Sequence, residues 1–182
     1  MPRILLVRHG QAAGTFTDDL DPGLSELGWS QAEIAATALT PEMPMKIISS
    51  PLKRAQETAV PLARAFDIEP VIEERIAELP SVGMSLEERG PWIRGVMQST
   101  WSAQSTDLNA WRQRLLDCLL AQQEDCIMFS HFVAINVATA AAMGSDAVTV
   151  FRPDNASITE LCNDVGELAL VRRGDEAETK VN

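Results

Sequence analysis

The sequence predicts an α/β protein, a three-layer α/β/α sandwich built on a mainly parallel sheet. Short apolar runs of strand length alternate with longer segments in which apolar residues recur at helical spacing. This alternation is typical of a parallel sheet that is covered by helices on both faces. Near the carboxyl end, two further short runs flank Asn163-Asp164, which predicts a terminal hairpin that adds an antiparallel edge.

The predicted strands are short runs rich in Val, Ile, Leu, Met and Phe. The first is followed by residues 11–24, where Gly, Thr, Asp and Pro predict a loop over the strand end. The strands are expected at 3–7, 45–49, 69–72, 125–130, 156–162 and 167–171.

The predicted helices carry start and stop signals. Ser25 is expected to cap the first helix, and Pro41 to end it. The second helix is expected to open at Ser50-Pro51, with the serine as cap and the proline at the first helical position, and to be kinked or interrupted at Pro61. The helices are expected at 26–39, 51–66, 108–122 and 133–143.

At 182 residues the chain suits a single domain, which we place at 1–172. Residues 79–105 are irregular and carry proline, glycine and tryptophan, so we predict an excursion with one or two helices that caps a site. The charged segment 173–182 lacks apolar periodicity and predicts a flexible tail. The candidate substrate contacts of the excursion, which would equally serve as packing side chains, are Trp92, Met97 and Trp101.

The formal net charge of -11 argues against nucleic acid or an anionic membrane as a partner, because those surfaces require basic patches. The apolar stretch 133–143 is too short to span a bilayer, and the amino terminus lacks the pattern of a signal peptide. Cys118, Cys126 and Cys162 are scattered, without metal-ligand spacing, and predict reduced thiols. We therefore expect a cytoplasmic protein.

Three segments place polar side chains where a predicted strand ends or a helix begins. The first strand ends in Arg8-His9-Gly10, which joins a cation, a nucleophile or base, and a flexible residue. A neutral imidazole is a good nucleophile toward phosphorus, and guanidinium groups bind phosphoryl oxygens through paired hydrogen bonds. A histidine hydrogen-bonded to the backbone, beside a surface arginine, would explain the tripeptide equally well.

The other two segments are 49–58 and 129–132. The former places Arg54 in the first turn of a helix, where free N–H groups and the helix dipole favour anions. The latter places His131 directly after a strand, where an imidazolium would neutralise a phosphoryl oxygen. A capped helix with solvated charges, and a core or cap histidine, are the plainer interpretations. Ligands of open α/β sheets bind beyond the carboxyl ends of the strands, where these side chains would project.

Together these segments resemble the histidine phosphatase superfamily, which includes the cofactor-dependent phosphoglycerate mutases and many small phosphatases. The motifs occur in the family's order between residue 3 and about residue 140. They are L-V-R-H-G-Q at 6–11, D-P-G-L-S-E-L-G-W-S-Q-A at 21–32, S-S-P-L-K-R-A-Q-E-T-A at 49–59 and S-H at 130–131. The resemblance implies a phosphoglycerate mutase-like fold.

By this resemblance His9 is the nucleophile that takes the phosphoryl group, and water then hydrolyses the phosphohistidine. Arg8, Arg54 and the catalytic His131 form a cationic pocket around the phosphoryl oxygens, with Thr15 as a further phosphate-binding residue. No metal and no cofactor is implied, since protein cations supply the positive charge, and two histidines without a carboxylate cluster do not make a ligand set.

The resemblance also implies a carboxylic acid after the third strand that protonates the leaving oxygen, and Glu78 lies where that acid usually falls. A phosphate beside a carboxyl raises the pKa of that carboxyl by like-charge repulsion, which suits a general acid. The competing carboxylates, each more simply a solvated surface charge, are Glu73, Glu74, Glu87 and Glu88.

Two positions depart from the family pattern. The sixth residue after the nucleophile is commonly Asn and is here Thr15, whose shorter hydroxyl can still donate to phosphate. The residue after the second histidine is commonly Gly and is here Phe132, whose side chain must point away or line the pocket. Both changes predict an altered substrate pocket and leave the core catalytic groups in place.

The expected activity is hydrolysis of phosphomonoesters, because the short chain has fewer insertions to exclude water than a mutase requires. Phosphoglycerate mutase-type transfer and a non-catalytic phosphate-binding module are the alternatives. The expected partner is a small phosphorylated substrate or a phosphoprotein, and an exposed edge strand would allow a homodimer.

Overall fold

The computed structural model describes residues 1–14, 19, 21–81 and 83–177, which form a six-stranded sheet with helices on both faces. The strands are β1 (Arg3–Arg8), β2 (Lys46–Ser49), β3 (Val71–Ile72), β4 (Cys126–Ser130), β5 (Ile158–Asp164) and β6 (Glu167–Arg172). The helices are α1 (Glu26–Leu39), α2 (Lys53–Phe66), α3 (Leu86–Met97), α4 (Thr106–Leu120) and α5 (Phe132–Ala142).

The sheet is mainly parallel, which confirms the prediction. In the order β3-β2-β4-β1-β5-β6 the first four strands run parallel, and β4 inserts between β2 and β1. The terminal hairpin of β5 and β6 adds two antiparallel strands beside β1. The carboxyl ends of β1, β2 and β4 therefore meet at one edge of the sheet, where open α/β sheets bind their ligands.

Alternating side chains along the central strands divide the core into two layers. Ile4 and Leu6 of β1 pack on one side with apolar residues of α3, α4 and α5. Leu5 and Val7 pack on the other side with apolar residues of α1 and α2. The three-layer sandwich predicted from the sequence is confirmed.

The start of α2 differs from the prediction. The helix begins at Lys53 after Leu52, whose backbone is extended, so Pro51 precedes the helix instead of opening it. The Ser50 hydroxyl accepts the N–H of Leu52 at 3.2 Å, so Ser50 orders the turn before the helix and is not the helix cap. The helix also runs through Pro61, so the predicted interruption is absent, while the kink given as the alternative stays a prediction.

The turn of the terminal hairpin also lies elsewhere than predicted. Asn163 and Asp164 belong to β5, and the turn is formed by Val165 and Gly166, whose φ angles are 50° and 88°. Positive φ at both central residues is the backbone of a type I′ turn, which suits a two-residue hairpin. The Asn163 side chain accepts the N–H of Gly166 and donates to the carbonyl of Leu120. It therefore links the hairpin turn to the carboxyl end of α4.

The excursion at 79–105 contains α3, whose first turn is closed by reciprocal hydrogen bonds between Ser85 and Glu88. Trp101 is buried in the core and packs near Trp111, with ring centroids 6.1 Å apart, which is a packing arrangement. Residues 173–177 run beside the segment at 152–154, and Asp154 donates its N–H to the carbonyl of Asp175. The remainder of the predicted tail, 178–182, lies outside the described residues.

The three cysteines are free thiols. Burial raises the pKa of Cys118 to about 11 and that of Cys126 to about 12, so both stay protonated near neutral pH. Within the described part of the chain, the helices are too short or too polar to cross a membrane.

The loop after β1 packs very closely against the first turn of α1. Ser25 caps this helix by accepting the N–H of Gly28, as predicted. A Cβ atom on Gly28 would overlap the carbonyl oxygen of Gln11, and a Cβ atom on Gly10 would lie 2.5 Å from the carbonyl oxygen of Gly28. Two facing glycines therefore let this loop approach the helix backbone.

We expect Gly28→Ala to lower the free energy of unfolding by roughly 1–3 kcal/mol, because the new methyl group must push the loop away from α1. Gly95→Ala in α3 is the matched control, since nothing lies within 4 Å of its added Cβ. Alanine there should be neutral or stabilising by about 0.5–1 kcal/mol. Urea titrations of both variants measure the difference, and equal effects would contradict the packing argument.

Candidate active site

The two histidines lie next to each other because their strands are neighbours. Arg8 and Ser130 are register partners at the ends of β1 and β4, and His9 and His131 follow them directly. The N–H of His9 donates to the carbonyl of Ser130 at 3.0 Å, and the two imidazole centroids are 5.2 Å apart. The structure thus brings together two residues that are 122 positions apart by their numbers.

The hydrogen bonds of His9 define its tautomer. Nδ1 lies 2.7 Å from the carbonyl oxygen of Gly10, which can only accept, so Nδ1 carries the proton. Nε2 then carries a lone pair, and it accepts the Nε–H of Arg54 at 3.2 Å. The ring is therefore oriented with its nucleophilic nitrogen toward the arginine.

Both imidazoles are held in the neutral form. Burial lowers the pKa of His9 well below its ordinary value, and the positive charges of Arg54 and Arg8 lower it further. The pKa of His131 is lowered well below its ordinary value, first by burial and then by Arg54, His9 and Arg8. A neutral imidazole is the form that can act as a nucleophile.

Ser50 orients His131, a contact that the sequence analysis missed. Its hydroxyl lies 2.7 Å from Nε2 of His131 while it accepts the N–H of Leu52. Because the hydroxyl can donate to Nε2 or accept from it, this contact orients the ring without deciding which of its nitrogens carries the proton. Nδ1 is buried and has no hydrogen-bond partner among the described residues. In the sequence this residue is the second serine of S-S-P-L, and the motif predicts a helix cap there instead of a contact with His131.

The two predicted arginines are both buried and have different partners. Arg8 donates from Nη1 to the carbonyl of Pro153 at 2.8 Å, and burial lowers its pKa to about 10. Arg54 is almost fully buried, contacts Nε2 of His9, and lies 3.7 Å from the carboxylate of Asp21. Burial also lowers the pKa of Arg54. Both guanidinium groups remain charged at neutral pH, so the cluster is cationic.

Glu78 is buried at the same edge of the sheet. Its two carboxylate oxygens accept the N–H groups of Leu79 at 3.0 Å and of Val133 at 3.2 Å, in the first turn of α5. Burial raises the pKa of Glu78, against the opposing effect of these hydrogen bonds and of Arg54 and Arg8. A carboxyl with a raised pKa near two histidines is suited to donate a proton.

The competing carboxylates have other surroundings. Glu73 pairs with Arg75 at 2.7 Å, and the hydrogen bond from that arginine lowers its pKa to about 2. Hydrogen bonds from Ser85 lower the pKa of the exposed Glu88. Glu74 and Glu87 are exposed. Among these five described carboxylates, Glu78 is the one that combines burial with a raised pKa.

Two side chains of α2, shortly after Arg54, fix the loop that follows His9 by hydrogen bonds. Thr58 Oγ1 accepts the N–H of Gly10 at 3.0 Å, and Glu57 accepts the N–H of Leu24 at 2.6 Å. The E-T of the motif thus fixes the backbone on both sides of the loop that follows His9. These two contacts cannot be read from the motif alone, because Gly10 and Leu24 are remote from it in sequence.

The amino end of α2 is occupied by a carboxylate of this chain. Asp21 accepts the N–H of Lys53 at 2.9 Å, so this N–H is not open to a ligand as the sequence analysis had expected. Thr15, predicted to contact phosphate, lies outside the described residues, and its role stays a prediction. The described residues hold no group of three or more His, Cys, Asp or Glu that could bind a metal ion.

The fold and the cluster define a class, an α/β protein with a cationic site built around two histidines at the carboxyl edge of its sheet. The family model of the histidine phosphatase superfamily, branch 1, matches residues 4–176. The chain belongs to this superfamily, which confirms the resemblance that its motifs indicated.

Curated relatives carry phosphatase names. Phosphoserine phosphatase 1 of Hydrogenobacter thermophilus is 33% identical over 115 residues, which is 61% of this chain and 51% of that protein. Glucosyl-3-phosphoglycerate phosphatase of Mycobacterium tuberculosis is 38% identical over 80 residues, 42% of this chain and 36% of that protein. The chain thus spans about half, or less, of the length of these relatives.

Solved structures share the fold along most of the chain. The mycobacterial glucosyl-3-phosphoglycerate phosphatase complexed with VO3 is 25% identical, with a TM-score of 0.68 over 89% of this chain and 93% of that one. Phosphoserine phosphatase from Entamoeba histolytica, in complex with 3-phosphoglyceric acid, has a TM-score of 0.75 at 22% identity over 96% and 98% of the two chains. At this identity the second likeness concerns the fold alone.

We expect neither imidazole to titrate near pH 6.5, because burial and the neighbouring arginines disfavour the charged form. The chain has two histidines, so their ¹⁵N resonances can be assigned with a His131→Asn variant. At pH 6.5 both rings should be neutral, and His9 should show a protonated Nδ1 and an unprotonated Nε2. A His9 midpoint at or above 6.5, or the opposite tautomer, would contradict the geometry.

Proposed function

We propose that this protein hydrolyses phosphomonoesters through a phosphohistidine on His9. The hydrogen bond from His9 Nδ1 to the carbonyl of Gly10 carries this proposal, because it leaves the Nε2 lone pair available in the cationic cluster. Membership of the histidine phosphatase superfamily and the phosphatase names of relatives support it.

In the first step, His9 Nε2 attacks phosphorus and the bond from phosphorus to the ester oxygen breaks. The N–H of Arg54 that donates to Nε2 in the free protein would turn to a phosphoryl oxygen. Arg8 would supply further positive charge there, and His131, with its ring proton on the unpartnered Nδ1, would supply a further donor. The leaving oxygen takes its proton from Glu78, whose raised pKa favours the protonated form.

In the second step, water replaces the histidine. The Glu78 carboxylate accepts a proton from water, the new oxygen attacks phosphorus, and the bond from phosphorus to Nε2 breaks. The electron pair returns to His9, Glu78 is again protonated, and inorganic phosphate is released. No step needs a metal ion, since the guanidinium groups balance the charge of the phosphoryl oxygens.

The names of the relatives direct the choice of substrates. We propose a small phosphorylated compound, with phosphoserine and glucosyl-3-phosphoglycerate as the first candidates and a phosphoprotein as the alternative. Phosphoglycerate mutase-type transfer remains the second candidate activity, supported by the shared fold. A cytoplasmic location, a homodimer and a capping role of the excursion at 79–105 also remain proposals of the sequence.

We expect turnover of an aryl phosphate to resist a chelator and to be abolished in His9→Ala. Trapping with labelled substrate should give an acid-labile, alkali-stable phosphoenzyme in the wild type and none in His9→Ala. His131→Asn is the matched control, because it removes the other histidine and should keep the label while turnover slows.

Each alternative has a distinct outcome in this experiment. Label on His131 instead of His9, or turnover that survives His9→Ala, would refute the mechanism. Turnover that needs a bisphosphate primer and interconverts phosphoglycerates would indicate a mutase. Binding of vanadate without turnover of any phosphomonoester would indicate a non-catalytic phosphate-binding module.

We expect Glu78→Gln to lower kcat/KM for an alkyl phosphate such as phosphoserine by about 10²–10⁴-fold, because the leaving alkoxide then lacks its proton donor. The loss in kcat/KM for p-nitrophenyl phosphate should be much smaller, since kcat/KM reports formation of the phosphohistidine and that leaving group departs without protonation. In the wild type the rate should fall as pH rises through the raised pKa of Glu78, and the variant should lack this limb.

Glu74→Gln is the matched control for the acid, because Glu74 is an exposed neighbour in the chain and should leave the rates unchanged. If Glu78→Gln keeps full activity on the alkyl phosphate while Glu73→Gln or Glu88→Gln loses it, the assignment of the acid is wrong.

A further inference from the structure

Phe132 is the departure from the family pattern that the proposed mechanism does not use. It is the first residue of α5, directly after His131, and its side chain is 4% exposed. The ring belongs to the apolar cluster on the side of the sheet that α3, α4 and α5 cover. The ring is therefore fixed in the core, and one of its faces can contact a side chain at the end of β1.

The side chain next to this ring is Arg8. Ile4 and Leu6 of β1 point into the same cluster, so strand alternation directs Arg8 to the same side. The Cζ atom of Arg8 lies 5.3 Å from the centroid of the Phe132 ring, within the range of a cation–π interaction. The negative face of the ring then compensates part of the hydration that the buried guanidinium loses.

The remaining contacts of Arg8 leave its guanidinium incompletely held. Nη1 donates to the carbonyl of Pro153, while Nε is buried without a hydrogen-bond partner among the described residues. One hydrogen bond does not define the plane of a guanidinium group, which can still rotate about that contact. A ring face on one side restricts this rotation, because the flat group lies over it at a fixed distance.

We propose that Phe132 is a positioning residue that holds the Arg8 guanidinium in the orientation needed to bind the phosphoryl group at His9. The inference rests on the proposed function, because it assigns Arg8 to the phosphate. Glycine at this position would leave that face of the guanidinium without a contact. Phenylalanine covers more of its own backbone N–H than glycine does, and in exchange it holds the Arg8 guanidinium in one orientation. The ring itself does not touch the substrate.

The test compares Phe132→Leu with Phe151→Leu. Leucine keeps an apolar side chain and removes the aromatic face. Phe151 is also 4% exposed and carries an arginine over its ring, with Arg173 Cζ 5.6 Å from the centroid. Phe151→Leu thus removes a similar buried ring and a similar cation–π pair that the proposal does not connect with phosphate.

Binding of inorganic phosphate and of vanadate is measured by calorimetry, with kcat and KM for an aryl phosphate measured in parallel. We expect Phe132→Leu to weaken binding of both anions by about three- to tenfold and to lower kcat/KM by at least as much. Phe151→Leu should bind both anions within about twofold of the wild type, with a comparable loss in melting temperature.

A double-substitution cycle separates positioning from general destabilisation. In an Arg8→Gln background, Phe132→Leu should weaken anion binding no further, because the group that it positions is gone. Equal anion binding by Phe132→Leu and the wild type would overturn the proposal, as would equal losses in Phe151→Leu or full additivity with Arg8→Gln.

Failure of the proposed function would look different. A wild type that binds phosphate without turnover refutes hydrolysis, while the ratio of affinities still decides the role of Phe132. A wild type that binds neither phosphate nor vanadate overturns both.

Discussion

The geometry at His9 depends on the backbone of Gly10. Its carbonyl accepts the Nδ1 proton of His9, its N–H donates to Thr58 of α2, and its Cα lies against Gly28 of α1. One residue therefore joins the end of β1 to two helices. A neutral imidazole has a single ring proton, and this carbonyl decides which nitrogen carries it. The lone pair on Nε2 is thus a consequence of how α1 and α2 pack on the sheet.

Burial sets the protonation states of the ionisable groups around that lone pair. Removal from water favours neutral imidazoles and a protonated Glu78, whereas guanidinium groups keep their charge. An entering phosphoryl group would meet an uncharged nucleophile, an uncharged acid and fixed positive charges. The exclusion of water that causes these states also strengthens the attraction between guanidinium and phosphate.

Two helices direct their amino ends toward the site, and each receives a carboxylate from this chain. Asp21 accepts the N–H of Lys53 in α2, and Glu78 accepts the N–H of Val133 in α5. The partial positive charge of each helix end is thus partly satisfied within the protein. In the proposed mechanism, the side-chain cations Arg8 and Arg54 would therefore be the principal groups that bind an anion.

The sequence by itself determined the alternation of strands and helices, the mainly parallel sheet and the placement of His9 and His131 at strand ends, because side-chain periodicity and strand length are local properties. It also singled out Arg54 and Glu78 through the resemblance of its motifs. The start of α2 and the hairpin turn were predicted wrongly, because Ser50 and Asn163 are engaged by His131 and Leu120, which are remote in sequence. Only the tertiary structure decided the tautomer of His9, the burial of Glu78 and the contact between Phe132 and Arg8, since each depends on distant segments that meet at the sheet edge.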